Sequence, residues 1–329
     1  MQTSLFRRLA AVLAAGTLAL AAWPSAIAQP AWPSRPVKLI IPFAPGGGTD
    51  VMGRLIAQKL GEGLGQAVVV DNKPGAGGSL GTAEFARMPS DGYTLLLGSI
   101  STHAISPGVY TKLSYDPVKD FAAIGQVTNN PFVMAVPSAL PVKTVAELVA
   151  LAKSDPTKYN YASSGNGGGS HLAAALFVHL TGMPVQHIPY KSQAPALNDL
   201  LAGRVAFMFD NITAMKQHIQ AGTLRALGTS VTTRPSVMKD VPTLIEAGVP
   251  GYEFNGWVGV WAPAGTPADI VNRVNGELLR IMAMPEMVAK FAALGAEVQT
   301  GTPQELSRLV ASEVVKWKKV VQIAGVKAE

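Results

Sequence analysis

The sequence predicts a mixed α/β fold of two lobes joined by two crossings. Three observations carry that expectation. Short apolar strands alternate with amphipathic helices in the order that gives parallel βαβ units. A strand, a glycine-rich turn and a helix occur in that order in each half of the chain. The last seventy or so residues read as helices that return to the first lobe, as in a clamshell.

The first of these turns is Pro42-Phe43-Ala44-Pro45-Gly46-Gly47-Gly48-Thr49-Asp50. An apolar strand over Val37–Phe43 precedes it. A helix from Val51 to Leu64 follows, with Met52, Ile56 and Leu60 four residues apart. Three glycines in a row carry no Cβ, so several N–H groups can point into one concavity. The helix adds the positive end of its dipole, so the turn can hold an anion without a charged side chain. Asp50 is expected to order the loop, because a free carboxylate aimed at an anion would repel it.

A strand at Ala67–Asp71, a second glycine-rich turn over Asn72–Ser79 and a helix at Leu80–Met88 come next, with Ser79 expected as N-cap. Tyr93–Gly98 is a buried strand, and Ser99, Thr102 and His103 follow its C-terminal end, where α/β sheets place ligands. Phe121–Val127 and Phe132–Val136 read as two strands around Asn129-Asn130-Pro131, the expected first crossing. Thr144 and Glu147 open a helix over Val145–Lys153 as a capping box. The strand Tyr159–Ser164 leads into Gly165-Asn166-Gly167-Gly168-Gly169-Ser170 and the helix His171–Leu180, repeating the first device. Strands at Val185–Pro189 and Val205–Phe209 alternate with helices over Pro195–Ala202 and before Gly222. Leu224–Ser230 is expected to carry the chain back, ahead of an aromatic strand at Phe254–Trp261. Thr266-Pro267 and Thr302-Pro303 each give an N-cap with proline at N1, opening helices at Ala268–Met284 and Gln304–Gln322, with Glu286–Leu294 between. The implied division is residues 29–130 with 229–329 in one lobe and 131–228 in the other.

Residues 1–28 read as a signal peptide. Arg7 and Arg8 form the basic region, Leu9–Ala22 the apolar region, and Ala26-Ile27-Ala28 the cleavage box, so a periplasmic protein cut after Ala28 is expected. No later stretch is apolar enough for a membrane span. The 329 residues are 48% hydrophobic and 15% charged, a globular composition long enough for two domains. The net charge is +6 with scattered basic residues, which suits small anions but not nucleic acid. The chain has no cysteine, excluding disulfides and thiolate chemistry.

Competing motifs fail on context. Gly77-Gly78-Ser79-Leu80-Gly81 matches the nucleophile elbow, but a long loop stands where a tight elbow belongs. An exported hydrolase using Ser79 is the alternative. No phosphate-loop motif occurs, and Gly165-x-Gly167-x-x-Ser170 lacks the third glycine of a dinucleotide fingerprint. His171 and His179 lie about 12 Å apart along a helix, too far to share one metal. No catalytic residue, metal or cofactor is expected.

The runs PFAPGGGTD, DNKPGAGGSLGT, SDGYTLLLG, YASSGNGGGSHLAAALF, HIPYKSQAPALNDLLAGRVAFMFD and DVPTLIEAGVPGYEF resemble the Bug, or TctC-like, receptors. These are the extracytoplasmic solute receptors of tripartite tricarboxylate transporters, and the resemblance covers the chain after the leader. It implies a type II-like periplasmic-binding-protein clamshell that captures a small carboxylate and delivers it to membrane permease subunits, as a monomer. It also implies ligand contacts from Phe43, Ala44, Gly46, Gly47 and Asp50 in the first loop. Ser163, Ser164, Gly165, Gly167, Ser170 and His171 belong to the second. Tyr190, Lys191, Ala194 and Asp210 face Ser99 and Thr102 across the cleft. Ser192, Asn166 and Gly168 depart from the family pattern. A sensory module that presents its ligand to a membrane signalling protein would use the same architecture.

Overall fold

β1 (Val37–Ile41) is an apolar stretch, broken only by Lys38, that lies between two parallel neighbours; Leu39, Ile40 and Ile41 are fully buried. In the computed structural model, which describes residues 32–155 and 157–326, Arg35 begins one compact unit and the residues before it are a separate segment. The expected signal peptide lies outside the described residues. α1 (Gly48–Leu64) follows β1 and buries Met52, Ile56, Leu60 and Leu64, one stripe at four-residue spacing. Each such side chain contributes about 1.5–3 kcal/mol by leaving water. β2 (Val68–Asn72), α2 (Ser79–Phe85) and β3 (Thr94–Ser99) complete the first parallel group, with β1 in the middle.

A π-helical turn at Ser101–Ile105 and the short α3 (Ser106–Val109) follow β3; neither is foreseen by the sequence pattern. β4 is one continuous strand, Phe121–Pro137, not the two strands expected around Pro131. Proline is tolerated because the strand changes partner there. Up to Pro131 it pairs with β9 (Asn255–Pro263), and from Phe132 onward with β7 (Phe207–Asn211) and β8 (Leu224–Thr229).

α4 (Val145–Ser154) starts at the expected N-cap, with Thr144 Oγ1 accepting from the Glu147 N–H. β5 (Asn160–Ser163), α5 (Gly169–Thr181), β6 (Gln186–Pro189) and α6 (Gln193–Leu201) build the second parallel group with β7. Every residue from Gly169 to Phe177 is buried, so α5 is a core helix rather than an amphipathic one. α7 (Ile212–Gln220) begins directly after β7, capped by Asn211 Oδ1, which accepts from the Ala214 N–H at 3.0 Å.

The sheet order is β2-β1-β3-β9-β4-β7-β5-β6. Each group is thus three parallel strands flanked by one antiparallel strand, β9 in the first and β4 in the second. β8 stays with the second group, and the chain first pairs with the first group again at Asn255. Buried Ser230 ties these passages together. Its hydroxyl accepts from the Phe132 N–H at 2.9 Å and donates to the Phe254 carbonyl at 2.6 Å.

α8 (Ala268–Met282), α9 (Pro285–Leu294), β10 (Glu297–Val298) and α10 (Pro303–Ile323) form the return. Thr302 and Glu305 make the expected capping box at α10. Two other expected caps are corrected. Pro267 is the N-cap of α8, and Thr266 instead donates to the Pro263 carbonyl. Gly78, at φ +97°, is the N-cap of α2, so Ser79 is its first helical residue and donates to the Ala76 carbonyl.

Candidate functional site

The loops at the C-terminal ends of β1, β3, β5, β6 and β7 converge on one cleft of about 880 Å³. This is where open α/β sheets place ligands. Both glycine loops line it. Among the described lining residues only Lys191 and Asp210 carry a charge.

Asp50 orders the first loop from inside. It is 2% exposed; Oδ2 accepts from the Gly46 N–H and from Arg54 Nε, each at 2.9 Å, and Oδ1 accepts from Asn72 Nδ2. Burial alone would raise this carboxyl, but the bonds from Arg54, Gly46 and Asn72 together hold it below the usual carboxylate range. Asn72 Nδ2 also reaches the Phe43 carbonyl at 3.0 Å, which closes the loop on itself. The first turn of α1 leaves N–H groups without intrahelical acceptors, and its residues Gly48, Thr49 and Val51 line the cleft. Asp50→Ala strands the Gly46 N–H and should cost about 1–3 kcal/mol of stability in a denaturant melt.

The second loop is held the same way by a different group. His171 Nδ1 accepts from the Gly167 N–H at 3.1 Å, so the neutral ring carries its proton on Nε2. Burial, with the stacked His187 ring 3.8 Å away adding to it, pushes His171 down to about 3. Ser163 Oγ sits 2.6 Å from His187 Nε2, behind the loop.

Of the residues expected at the ligand, Phe43, Ala44, Gly46, Gly47, Ser99, Ser164, Gly165, Ser170, Tyr190, Lys191, Ala194 and Asp210 line the cleft. Asp50, Thr102, Ser163, Gly167 and His171 do not; they stand behind its wall. Thr102 Oγ1 accepts from the Ser99 N–H at 3.0 Å and contacts buried His103, whose ring stacks on Trp261. Ser170 donates to the Phe209 carbonyl, and Tyr190 donates to Asp199 at 2.6 Å. Gly46 lines the cleft while its N–H serves Asp50.

The two strand groups meet closely around the cleft. Ser101 Oγ accepts from the Gly169 N–H at 2.9 Å. The Tyr110 hydroxyl lies 2.8 Å from the Ala76 carbonyl and 3.0 Å from that of Asn166, and shares its one proton between them. At Gly48 a Cβ would stand 2.8 Å from Asn211 Oδ1 and 3.2 Å from Thr213 Cβ, so only glycine lets α1 approach α7 this far.

Asn130, Trp257, Thr213 and Ser101 also contribute to the lining and are not foreseen. Asn130 was legible only as part of a turn before proline, and Trp257 only as a strand residue. Four side-chain atoms of lining residues are buried without any partner: Asn130 Oδ1, Asp210 Oδ2, Thr213 Oγ1 and Trp257 Nε1. Asp210 Oδ1 is satisfied by the Asn211 N–H at 2.8 Å. Burial raises the Asp210 carboxyl to about 6, against the pull of the Asn211 N–H and the Gln193 side chain. No group of three or more His, Asp or Glu among the described residues could hold a metal ion. No helix there is long and apolar enough to cross a membrane.

Residues 52–326 match the model of the "Tripartite tricarboxylate transporter family receptor". Three solved structures are similar over nearly the whole chain. Rpa4515 of R. palustris, with adipate, is 38% identical with a TM-score of 0.87, covering 90% of this chain and 100% of that one. The periplasmic binding protein BugD is 36% identical with a TM-score of 0.85, covering 90% and 100%. MatC from Rhodopseudomonas palustris, with bound malate, is 33% identical with a TM-score of 0.84, covering 88% and 100%. The mixed α/β architecture of two strand groups is the two-lobed periplasmic-binding-protein fold. With this fold, this cleft and a family match across most of its length, the chain belongs to the tripartite tricarboxylate transporter receptor family, the solute-binding receptors of those transporters.

Proposed function

We propose that the protein is a periplasmic receptor that captures a small carboxylate between its lobes and presents it to the membrane permease subunits of a tripartite tricarboxylate transporter. The observation that carries this reading is the cleft itself. It offers the N-termini of α1 and α5, one from each strand group, and almost no charge, and relatives of the same fold hold adipate and malate. Amides from both sides favour the closed state, because only there does the anion meet both sets of donors. The permease then has a shape by which to tell a loaded receptor from an empty one.

Export, cleavage after Ala28 and a monomeric receptor belong to the same proposal. So does the lobe division at 130/131 and 228/229. The stacking of Tyr252 on Phe209 and its hydroxyl bond to the Ala173 carbonyl support moving the return to Phe254/Asn255.

The proposal includes no catalytic step. Ser79 donates to a backbone carbonyl and has no histidine partner among the described contacts. Ser163 does touch His187, but it is fully buried behind the second loop, away from solute.

A thermal-shift screen of refolded, ligand-free protein against organic acids tests this. A ligand at 100 times its dissociation constant should add about 2.7 kcal/mol and raise Tm by a few degrees. The shift should vanish in Gly47→Asp. Gly47 is the N-cap of α1 in extended backbone, where aspartate folds well while placing a negative charge at the anion site. Shifts from neutral compounds alone would overturn the carboxylate assignment.

A further inference from the structure

The Gly75–Gly78 turn of the first strand group and the Gly165–Gly169 loop of the second meet backbone to backbone beside the cleft. A Cβ on Gly77, at φ +64°, would stand 3.2 Å from the Asn166 carbonyl oxygen and 3.3 Å from the Gly168 nitrogen. A side chain there would press the two loops apart. Ala76, the residue before it, has φ +47° and is the only non-glycine residue at positive φ among the described residues. A side chain persists in that region only where its surroundings hold it, and such residues gather at clamps and switches. Three donors converge on the Ala76 carbonyl: the Ser79 N–H, Ser79 Oγ at 2.8 Å and the Tyr110 hydroxyl at 2.8 Å.

Tyr110 belongs to neither loop. It follows α3, where its N–H bonds to the Ser106 carbonyl, and it is not part of the cleft lining. Its hydroxyl lies 3.0 Å from the Asn166 carbonyl as well. Its ring lies against Gly167, where a Cβ would stand 3.4 Å from Tyr110 Cε2 and 2.6 Å from Val109 Cγ1. Burial raises the phenol above its ordinary value, so it keeps its proton and donates.

Resting on the receptor reading, we infer that Tyr110 is a latch for the closed receptor: its hydroxyl ties the Ala76 carbonyl of the first strand group to the Asn166 carbonyl of the second without touching the solute. In the open state the hydroxyl keeps its bond to Ala76, and the Asn166 carbonyl faces water. Closure brings that carbonyl and the Gly167 backbone onto the same side chain. The contact exists only with the two groups together, so it slows opening and leaves the solute's encounter with the open cleft unchanged. Tyr110 is thus a positioning residue, and it acts on every solute alike.

Stopped-flow fluorescence of the refolded, ligand-free chain tests this, with Trp257 of the cleft lining as reporter. The probes are adipate, malate and any other acid that raises Tm in the thermal-shift screen. In Tyr110→Phe the dissociation rate should rise about three- to tenfold, the effect of one neutral hydrogen bond, while the association rate stays within about twofold. Tyr110→Ala, which also takes the ring from Gly167, should raise the dissociation rate further. The factor should be the same for each acid, because the side chain meets none of them. Unchanged dissociation in both variants, a factor that differs between acids, or a loss confined to association would overturn the latch and leave the receptor reading intact. Binding of no acid in the screen would overturn the carboxylate reading and the latch with it.

Discussion

Gly48→Ala is expected to weaken solute binding by about 10- to 100-fold while leaving the chain as stable as before, or slightly more so. The added Cβ would stand 2.8 Å from Asn211 Oδ1. That oxygen cannot swing aside freely, because it caps α7 and Asn211 is buried. Overpacking of this kind costs about 1–3 kcal/mol, and under the proposed closure it falls on the arrangement in which α1 meets α7, which is then the closed state. In the open state the same substitution removes a glycine from a helix, which favours folding by about 0.5–1 kcal/mol. Calorimetry and a denaturant melt on one preparation should therefore move in opposite directions. A parallel loss of both would mean that Gly48 serves the fold and not the closure.

The second large effect is on acid stability. His103 and His171 are buried neutral, each pushed down to about 3, chiefly by burial. Between the ordinary histidine value near 6.5 and that folded value, the unfolded chain holds protons the folded chain refuses. Their stability contribution is thus complete above pH 6.5 and is lost as pH falls, at about 1.4 kcal/mol per pH unit for each. Asp210 acts in the opposite sense. Raised to about 6, it holds a proton between pH 6 and 4 that the unfolded chain releases, and it returns about 1.4 kcal/mol per unit over that window. His187, lowered to about 4 and partly exposed, adds a smaller loss. Melts at pH 7, 6, 5 and 4.5 should show a net fall of at least about 1.4 kcal/mol per unit below pH 6, with His187 adding to it. His103→Phe keeps a ring stacked on Trp261 and should flatten the profile; a profile unchanged by it would contradict the assignment.

Much of the fold was legible because its signals are local. Apolar strands, glycine loops and proline-led helix starts each lie within about ten residues, and β1, α1, β5, α5 and α10 appear within a few residues of expectation. What stayed hidden depends on distant partners. Pro131 reads as a break, yet β4 runs through it because one stretch of the sheet hands over to another. The π-helical turn at Ser101–Ile105 has no breaker to announce it. Ser79 has the chemistry of a cap, but the left-handed glycine before it takes the position.

The site divides along the same line. Glycine loops were readable at the strand-to-helix junctions, and their lining of the cleft follows from the strand order. His171 and Thr102 were placed at the ligand by resemblance, whereas they brace the loops from behind. The unpaired Asn130 and Trp257 atoms come from β4 and β9, residues more than a hundred apart in sequence, and no spacing rule could bring them together.

Closure of the two lobes around a carboxylate is tested most directly by small-angle X-ray scattering. Ligand-free protein should be measured alone and at saturation with the acid that gives the largest thermal shift. The expected result is a smaller radius of gyration on saturation, with a clearly reduced change in Gly48→Ala. A tight-binding acid that leaves the radius of gyration unchanged in the unsubstituted protein would contradict capture between the lobes.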